Sequence, residues 1–263
     1  GDHRDLHLSL RRQRQMCIRD RSIIVHSYTT LLVYMMKTKT PMKLSDRTIN
    51  LLKNFASINQ SILFKQGNQL RTISVMKNIL AEANIDEEIP QEFGVYDLSQ
   101  FLNSLGLFQE PELNFTGESF VTVKEGKQRS KYFFADPSVI VSPPEKELTF
   151  PEAEIKFALT NAEFNQTIKA ATLLGLPHIC VEGKDGKINL VATDVHNSSS
   201  DEYRSELGET GMVFNMVFKI ENLKLYAGDY DVELTSKGIS KFSHTSSNLQ
   251  YFIATESDST FGG

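Results

Sequence analysis

Two stretches of the sequence decide the fold: FGVYDLSQFL at residues 93–102 and FNMVFKIENL at residues 214–223. In each, an apolar run with strand chemistry passes directly into a segment whose apolar residues recur at helical spacing. Each stretch therefore predicts a strand that leads into a short helix. Because the two stretches stand at corresponding points of the two halves of the chain, the sequence predicts two units of like architecture.

The first unit begins with a predicted helix at residues 45–59, SDRTINLLKNFASIN. Ser45 is the expected N-cap. One stripe of this helix should be buried: Thr48, Leu51, Leu52, Phe55 and Ile58. A second helix, LSQFLNSLG at residues 98–106, should bury Leu98, Phe101, Leu102 and Leu105. Runs with strand chemistry lie around the two helices, at residues 61–66, 70–75, 78–85, 93–97, 112–115, 119–125 and 130–135.

The second unit repeats this plan. A long helix is predicted at residues 161–175, with Phe164, Ile168 and Ala171 facing inward and Gly175 ending it. A hairpin turn at residues 184–186 separates two predicted strands. A short second helix is predicted at residues 219–226. The remaining strands are predicted at residues 178–183, 187–194, 211–218, 229–236, 238–244 and 249–256.

Residues 136–152, DPSVIVSPPEKELTFPE, contain four of the eight prolines and show no helical period. Since proline cannot donate a hydrogen bond within a central strand, this stretch reads as an extended connector between two domains. The expected division is a leader at residues 1–41, an N-terminal domain at 42–135, the connector, and a C-terminal domain at 153–263. The expected fold class is α+β, with two helices packed on antiparallel sheets in each domain.

Charge divides the leader from the rest of the chain. Residues 1–41 hold eight Lys and Arg against three Asp and Glu, whereas residues 42–263 have a formal net charge of −10. A body this acidic is repelled by polyanions, which excludes a protein that coats nucleic acid with its whole surface. Any basic surface for nucleic acid must therefore be local.

The leader has neither a signal peptide nor a membrane span. Its apolar stretch at residues 22–36 is interrupted by polar residues, no small-residue cleavage site follows, and it is too short to span a bilayer. The letters QMCIRDR at residues 15–21 match a sequencing-library adapter translated in frame. We expect residues 1–21 to be an artefact, residues 22–41 to be upstream sequence, and the native start to be Met42. The alternative is a disordered basic tail.

Five stretches carry a family resemblance over residues 42–260: MKLSDRTINLLKNFASIN at 42–59, AEANI at 81–85, VYDLSQFL at 95–102, ADPSVIVSP at 135–143 and YFIATESDST at 251–260. In order and spacing they resemble the sliding clamp of T4-type bacteriophages, the processivity factor of the replicative DNA polymerase. Residues 1–41 have no counterpart in that family.

The resemblance implies two DNA-clamp domains in each chain and three chains joined head to tail in a homotrimeric ring. Helices would line the hole, sheets would form the outer wall, and duplex DNA would pass through without being read in sequence. The implied partners are the DNA, the replicative polymerase and an ATP-driven clamp loader. The family has no catalytic site and needs no cofactor, and a phage-encoded member would act in the cytoplasm of the host cell.

The polar outer faces of the predicted helices are the candidate DNA-facing surface. They carry cations in a body that is otherwise acidic, which favours DNA over plain solvent as their neighbour. The candidate residues are Arg47, Asn50, Lys53, Asn54, Gln166, Lys169, Lys219 and Lys224. A solvated helix surface is the alternative for each of them.

The resemblance also implies a pocket for partner peptides beside the connector. The candidate lining residues are the apolar residues of the connector and of the last long strand, namely Val139, Ile140, Val141, Leu148, Tyr251 and Ile253. The alternative is that these side chains only close the domain core.

Rival functions find little support in the residues. Asp194, His196 and Ser198 lie on one polar loop, where near neighbours seldom converge as a catalytic triad. His178 and His244 lack ligands at metal-binding spacing, and no phosphate-binding glycine loop is present. Cys180 lies in an apolar run and is expected to be a small buried residue. The remaining alternative is a non-catalytic β-rich virion or scaffold protein that oligomerises without encircling DNA.

Overall fold

The computed structural model describes residues 41–115, 117, 119–146 and 148–262. Residues 1–40 lie outside the described residues. The adapter hypothesis and its alternative, a basic tail, both concern residues in this undescribed part of the chain.

Three α-helices form in the described part of the chain: α1 (Asp46–Ile58), α2 (Leu98–Leu105) and α3 (Asn161–Leu174). All three were predicted. In α1 and α2 the buried residues are those that the apolar stripe predicted. In α3 only Thr167 and Ala171 are fully buried, while Phe164 and Ile168 are half-buried. The left-handed conformation of Gly175, with φ of 68°, ends α3.

The strands of the described residues are all antiparallel to their neighbours. In chain order they are β1 (Ile62–Phe64), β2 (Gly67–Ile73), β3 (Ile79–Ile89), β4 (Phe93–Val95), β5 (Glu112–Asn114), β6 (Phe120–Glu125), β7 (Gln128–Phe133), β8 (Ile155–Leu159), β9 (His178–Lys184), β10 (Lys187–Thr193), β11 (Tyr203–Glu209), β12 (Phe214–Lys219), β13 (Tyr230–Leu234), β14 (Ile239–His244), β15 (Leu249–Ala254) and β16 (Thr260–Phe261).

A six-stranded sheet in the order β2-β3-β15-β14-β13-β8 joins the two halves of the chain. Its seam is the pairing of β3 with β15, in which Ala81 lies opposite Tyr251 and Ala83 opposite Leu249. Because the two halves contribute adjacent strands to one hydrogen-bonded sheet, their outer wall is continuous across the seam.

Each half also has sheet of its own. The second half forms a five-stranded sheet in the order β11-β10-β9-β12-β16, and α3 packs on β9, β10 and β11. The first half forms the sheets β5-β6-β7 and β1-β4, and α1 packs against α2, β2 and β3. Buried side chains from both halves belong to one connected hydrophobic core.

The structure corrects the expectation of two α-helices in each half. The segment predicted as a helix at residues 219–226 contains only a 3-10 turn at Ile220–Asn222. Lys219 offers no side-chain cap to this turn, and Leu223 leaves helical geometry with ψ of 58°. Since the turn is too short to bury a stripe of its own, the second half has one α-helix among its described residues.

Strands β8 and β11 were not predicted. The sequence of β11, YRSELGE, alternates charged residues with small or apolar ones, and its acids suggested a loop. β8 stands directly before α3, in a stretch for which no element was predicted from the sequence. Both are edge strands, where polar residues are tolerated because one side faces solvent.

Candidate nucleic-acid interface and connector cleft

The exposed face of α1 carries three of the predicted DNA-facing residues: Arg47, Asn50 and Lys53. Arg47 lies 3.5 Å from Asp86 in a solvent-exposed ion pair, which offsets part of its charge. Lys53 forms no ion pair with any described carboxylate, and it lines a groove of about 630 Å³ between α1 and α2. Of the two cations on this face, Lys53 is therefore the one that no described carboxylate neutralises.

The N-terminus of α1 is held by a carboxylate from a distant strand. The Ser45 side chain accepts a hydrogen bond from the Thr48 amide, while Glu87 of β3 accepts hydrogen bonds from the Ser45 amide and the Thr48 hydroxyl. Partial burial works to raise the pKa of Glu87, but the hydrogen bonds from Ser45 and Thr48 outweigh it and leave the pKa below its ordinary value. Glu87 therefore fixes where α1 begins relative to the sheet.

Asn54 and Lys224 join the two halves, and neither presents a free polar group as predicted. The Asn54 Nδ2 donates to the carbonyl of Lys224 at 2.9 Å, and its Oδ1 accepts from the Tyr251 hydroxyl at 2.7 Å. The Lys224 ammonium donates to the Ser57 carbonyl near the end of α1. Both side chains are half-buried. These protein contacts engage polar atoms that were expected to face DNA, and a DNA-facing role for the two residues stays a prediction.

The second half presents Gln166 and Lys169 on the exposed face of α3. No described carboxylate forms an ion pair with Lys169. The α3 helix starts with a capping box, in which Thr160 and Glu163 exchange side-chain and backbone hydrogen bonds. Lys219, at the end of β12, is exposed but lies 3.2 Å from Glu256. Among the predicted cations, only Lys53 and Lys169 lack an ion-pair or hydrogen-bond partner within the described residues.

No individual residue of α2 was predicted from the sequence to face DNA. Its exposed face consists of uncharged polar residues, Ser99, Gln100 and Asn103, next to the groove that Lys53 lines. A polar, uncharged helix face gives no charge signal in the sequence. Its position beside α1 is what makes it part of the candidate surface.

The connector is pinned to the N-terminal half by three polar contacts. Asn59 Nδ2 donates to the Val141 carbonyl at 3.1 Å, Arg71 Nη1 donates to the Pro144 carbonyl at 2.9 Å, and Lys65 lies 3.2 Å from Glu145. An apolar contact adds to these. Ile140 is 6% exposed and fills the space beside Gly94, where a Cβ would lie 2.7 Å from its Cδ1. The connector therefore follows the edge of the six-stranded sheet.

A cleft of about 490 Å³ opens between the connector and that sheet. We call it the connector cleft. Its larger apolar lining residues are Ile73, Leu80, Leu148, Ile239 and Phe252. Its charged lining residues in the described part of the chain are all cations: Arg71, Lys77 and Lys146.

Five of the six residues predicted to line this cleft lie outside its lining. Tyr251 and Ile253 are fully buried and face the core, whereas Phe252, between them, faces the cleft. Ile140 is buried against Gly94. Leu148 lines the cleft as predicted, while Val139 and Val141 are exposed residues of the connector outside the lining.

The connector cleft and α1 lie on opposite faces of the six-stranded sheet. Successive residues of a strand point to opposite faces. Tyr251 faces α1, since it donates its hydroxyl hydrogen to Asn54, and Phe252 therefore faces away from α1 into the cleft. A ligand in the cleft and a ligand along the helices would not compete for one surface.

The polar loop at residues 194–200 does not form a triad. The Asp194 carboxylate accepts from the backbone amide of His196, and the His196 imidazole lies 4.0 Å from Asp258 instead. His178 is buried, and its Nδ1 accepts from the Val195 amide. Burial, followed by the nearby His196, lowers the pKa of His178.

The described residues offer neither a cluster of metal-ligating side chains nor a membrane-spanning helix. No group of three or more His, Cys, Asp and Glu side chains there could hold a metal ion. None of the described helices has the length and apolar character needed to cross a membrane. Cys180 is buried, and burial raises the pKa of its thiol to about 12, so the thiol stays protonated and unreactive.

Comparison with known proteins finds two family models along the chain. One, described as DNA polymerase processivity factor, matches residues 43–142, and the other, described as gp45 sliding clamp, C terminal, matches residues 156–257. A sliding clamp of Vibrio phage KVP40 is 36% identical over 82% of this chain and 99% of the relative. A sliding clamp of Enterobacteria phage T4 is 31% identical over 83% of this chain and 99% of the relative.

Solved structures share the fold at low identity. The structure of A. fulgidus PCNA bound to the C-terminal region of FEN-1 has a TM-score of 0.62 and 18% identity, over 84% of this chain and 99% of that one. The Helicobacter pylori beta clamp bound to a DNA ligase peptide has a TM-score of 0.64 and 13% identity, over 84% of this chain and 66% of that one. These likenesses establish an α+β fold of two clamp-like domains.

Proposed function

The chain belongs to the family of bacteriophage sliding clamps, the processivity factors of DNA polymerases, and from this we propose how its residues carry out that function. The observation that carries the conclusion is a match to sliding clamps across both halves of the chain. Three copies close into a ring around duplex DNA, and the ring tethers the replicative polymerase. Residues 42–135 and 153–263 form its two clamp domains, and residues 136–152 connect them.

Two edge strands support head-to-tail closure of the ring. β7 is the outer strand of the sheet β5-β6-β7 and β11 that of the five-stranded sheet, so each presents unpaired backbone groups to a neighbour. The exposed charged side chains of β7 are both cations, Arg129 and Lys131, and Phe133 is exposed beside them. β11 exposes two acids, Glu206 and Glu209, and one cation, Arg204. A basic edge opposite an edge that is acidic on balance favours pairing of unlike edges, which is a heterologous contact of the kind that builds rings. In this proposal the ring closes at three copies.

The exposed faces of α1, α2 and α3 line the hole of the ring in this proposal. Lys53 and Lys169 supply the positive charge that no described carboxylate neutralises. Arg47, Asn50 and Gln166 lie on the same helix faces. Lys219 contributes less because it is paired with Glu256. So few free cations per chain give weak contacts to phosphate, and weak contacts allow a ring to slide on DNA while enclosure retains it.

The connector cleft is the proposed docking site of partner proteins, the polymerase first. It is open, largely apolar and on the sheet face opposite α1, so a partner could bind it while DNA occupies the hole. The protein itself performs no catalysis in this proposal. An ATP-driven loader opens the ring and places it on DNA in the cytoplasm of the host cell. The alternative of a virion scaffold protein finds no support among the relatives.

The test is retention on circular and on linear DNA after loading with the cognate loader and ATP. A ring stays on closed circles and is lost from linear DNA through its free ends. Equal retention on both substrates overturns enclosure. Sedimentation should give three times the mass of one chain, and a monomer at micromolar concentration overturns the ring.

Two double variants test the DNA-facing lysines. Lys53→Glu with Lys169→Glu should weaken direct binding to DNA and reduce the log–log salt slope by about 0.9 for each phosphate that the protein no longer neutralises. Lys184→Glu with Lys237→Glu, at the exposed end of β9 and in an exposed turn, makes the same change in net charge and should leave the slope near that of the wild type. Equal slopes for the two double variants would show that the helices do not face DNA.

A further inference from the structure

We propose that the connector cleft selects partner peptides in which carboxylate side chains flank the apolar anchor residues, and that Lys77 and Lys146 make this selection. The inference rests on the proposed docking of partners at the cleft and adds the chemistry of the peptide that docks. Three observations support it. The described charged residues of the lining are cations, only Arg71 among them is paired within the protein, and the floor of the cleft is apolar.

The described charged residues that line the cleft are opposite in sign to the net charge of the molecule. Residues 42–263 carry a formal net charge of −10, yet the described charged residues that line the cleft are three cations and no acid. A local positive rim on an acidic body attracts segments that carry negative charge and disfavours basic ones. The rim therefore discriminates between peptides with equally apolar anchors.

Of the three cations, Arg71 is bound to other groups of the protein. Its Nε and Nη2 both lie 2.7 Å from Glu82 Oε1, and its Nη1 donates to the Pro144 carbonyl. The side chains of Arg71 and Glu82 are only 15% and 20% exposed, so the pair is fixed and its charges largely cancel. Arg71 is a positioning residue that holds the connector wall of the cleft in place.

Lys77 and Lys146 remain available to a ligand. Both are exposed, and neither forms an ion pair with a described carboxylate. Lys146 belongs to the connector, and Lys77 belongs to the turn between β2 and β3, so the two ammonium groups come from different walls of the cleft.

Three hydrogen bonds to Ser74 hold the turn that carries Lys77. The Ser74 hydroxyl accepts hydrogen bonds from the amides of Asn78 and Ile79, and the Ser74 carbonyl accepts from the Lys77 amide. Lys77 is itself held at a positive φ of 59°. A fixed backbone lowers the entropy lost when the ammonium group pairs with a ligand.

The floor of the cleft indicates a peptide over a nucleic acid. Leu80 and Phe252 are 8% and 6% exposed at the base, and Leu148, 40% exposed, covers one side. This gives an apolar depression with cations at its rim, which suits an apolar side chain with acidic neighbours. Single-stranded nucleic acid is typically held by stacking of its bases on exposed aromatic faces, and Phe252, the one aromatic residue in the described lining, is nearly buried.

The experiment measures the binding of three short fluorescein-labelled peptides to the full chain by fluorescence anisotropy. All three share the core Leu-Ser-Ser-Leu-Phe, and their flanks are rich in Asp, in Ser or in Lys. At about 0.05 M NaCl the Asp peptide should bind roughly fivefold to tenfold more tightly than the Ser peptide, and the Lys peptide should bind most weakly. At about 0.3 M NaCl the differences should shrink because exposed charges are screened.

Variants assign the effect to the cleft. Lys77→Glu with Lys146→Glu should reverse the order of the Asp and Lys peptides. Lys127→Glu with Lys184→Glu, a matched change in net charge in an exposed turn and at the exposed end of β9, should preserve it. Phe252→Ser should weaken the binding of all three peptides. Circular dichroism checks that each variant is folded.

Four outcomes overturn the inference: no binding of any peptide, equal affinity for all three, an order that both double variants change alike, or tighter binding of labelled single-stranded DNA at the same cleft. The retention assay on circular DNA separates this inference from the proposed function. A protein that stays on circles but shows no peptide preference retains its function and loses only the acidic-peptide inference. A protein that fails retention yet shows the preference keeps the peptide site and loses the ring.

Discussion

Helices α1 and α3 stand at the same place in the two halves, yet they are stabilised in different ways. α1 buries five residues, and Glu87 from a distant strand holds its N-terminus. α3 buries two residues. Its N-terminus has a capping box of its own, but the Asn161 amide also donates to the Asp229 carboxylate from the segment before β13, and Gly175 ends the helix. Both helices therefore have an N-terminus held by a distant carboxylate, and they differ in how many of their residues the core buries.

The difference extends to what each helix connects. Through Asn54 and Ser57, α1 is hydrogen-bonded to the segment around Lys224 in the other half. α3 packs on β9, β10 and β11 of its own half. Damage to α1 should therefore loosen both halves, while damage to α3 should remain local.

The largest expected effect is that of Phe55→Ala in α1. Phe55 is fully buried, and removal of its ring leaves a cavity that should lower the free energy of unfolding by about 3–5 kcal/mol. The matched change in α3, Phe164→Ala, removes a half-buried ring and should cost roughly 1–2 kcal/mol. Urea denaturation at one fixed protein concentration measures both. Equal losses of stability would contradict the contrast between the helices.

Asn54→Ala should have the next largest effect. It leaves the buried Tyr251 hydroxyl and the Lys224 carbonyl without their partner, which should cost about 1–3 kcal/mol. Asn165→Ala in α3 removes only a surface hydrogen bond to Asn161 and should change stability by less than about 0.5 kcal/mol. A double-mutant cycle with Tyr251→Phe should show coupling, and simple additivity would refute the proposed link.

The smallest effect is expected from Glu87→Gln, because it touches only the cap of α1. At pH 7 the loss of stability should be about 1 kcal/mol or less. Since the pKa of Glu87 is lower in the folded than in the unfolded state, its contribution is full above the unfolded value of about 4.5 and disappears as pH falls through the folded value. Unfolding measured from pH 7 to pH 3 should show wild type and variant converging, and a constant difference would exclude this linkage.

The sequence predicted the helices because each has a local signal of its own. Apolar residues at helical spacing marked α1 and α2, and Gly175 marked the end of α3. The segment at residues 219–226 has a similar spacing, yet it forms only one 3-10 turn. Its apolar residues pack against other elements. Such tertiary contacts override the weak local preference for a helix.

The cleft was harder to predict because β15 is apolar on both faces. In LQYFIA at residues 249–254, Leu249, Tyr251 and Ile253 are buried on one face, and on the other face Phe252 is buried as well. Because each face carries a large apolar residue, residue type alone does not separate the core from the cleft. Leu148 lies in the lining of the cleft. The bonds of Asn54 and Lys224 depend on residues nearly 170 positions away, and no local pattern encodes them.

The seam between β3 and β15 also constrains the order in which the chain can fold during its synthesis. Residues 79–83 must wait for residues 249–253 before they gain their neighbour in the sheet, so nearly the whole polypeptide must leave the ribosome first. Until then the β2-β3 hairpin has an open edge that can pair with another nascent chain. Rapid, crowded expression therefore favours aggregation of incomplete chains, and slower translation should raise the yield of soluble protein.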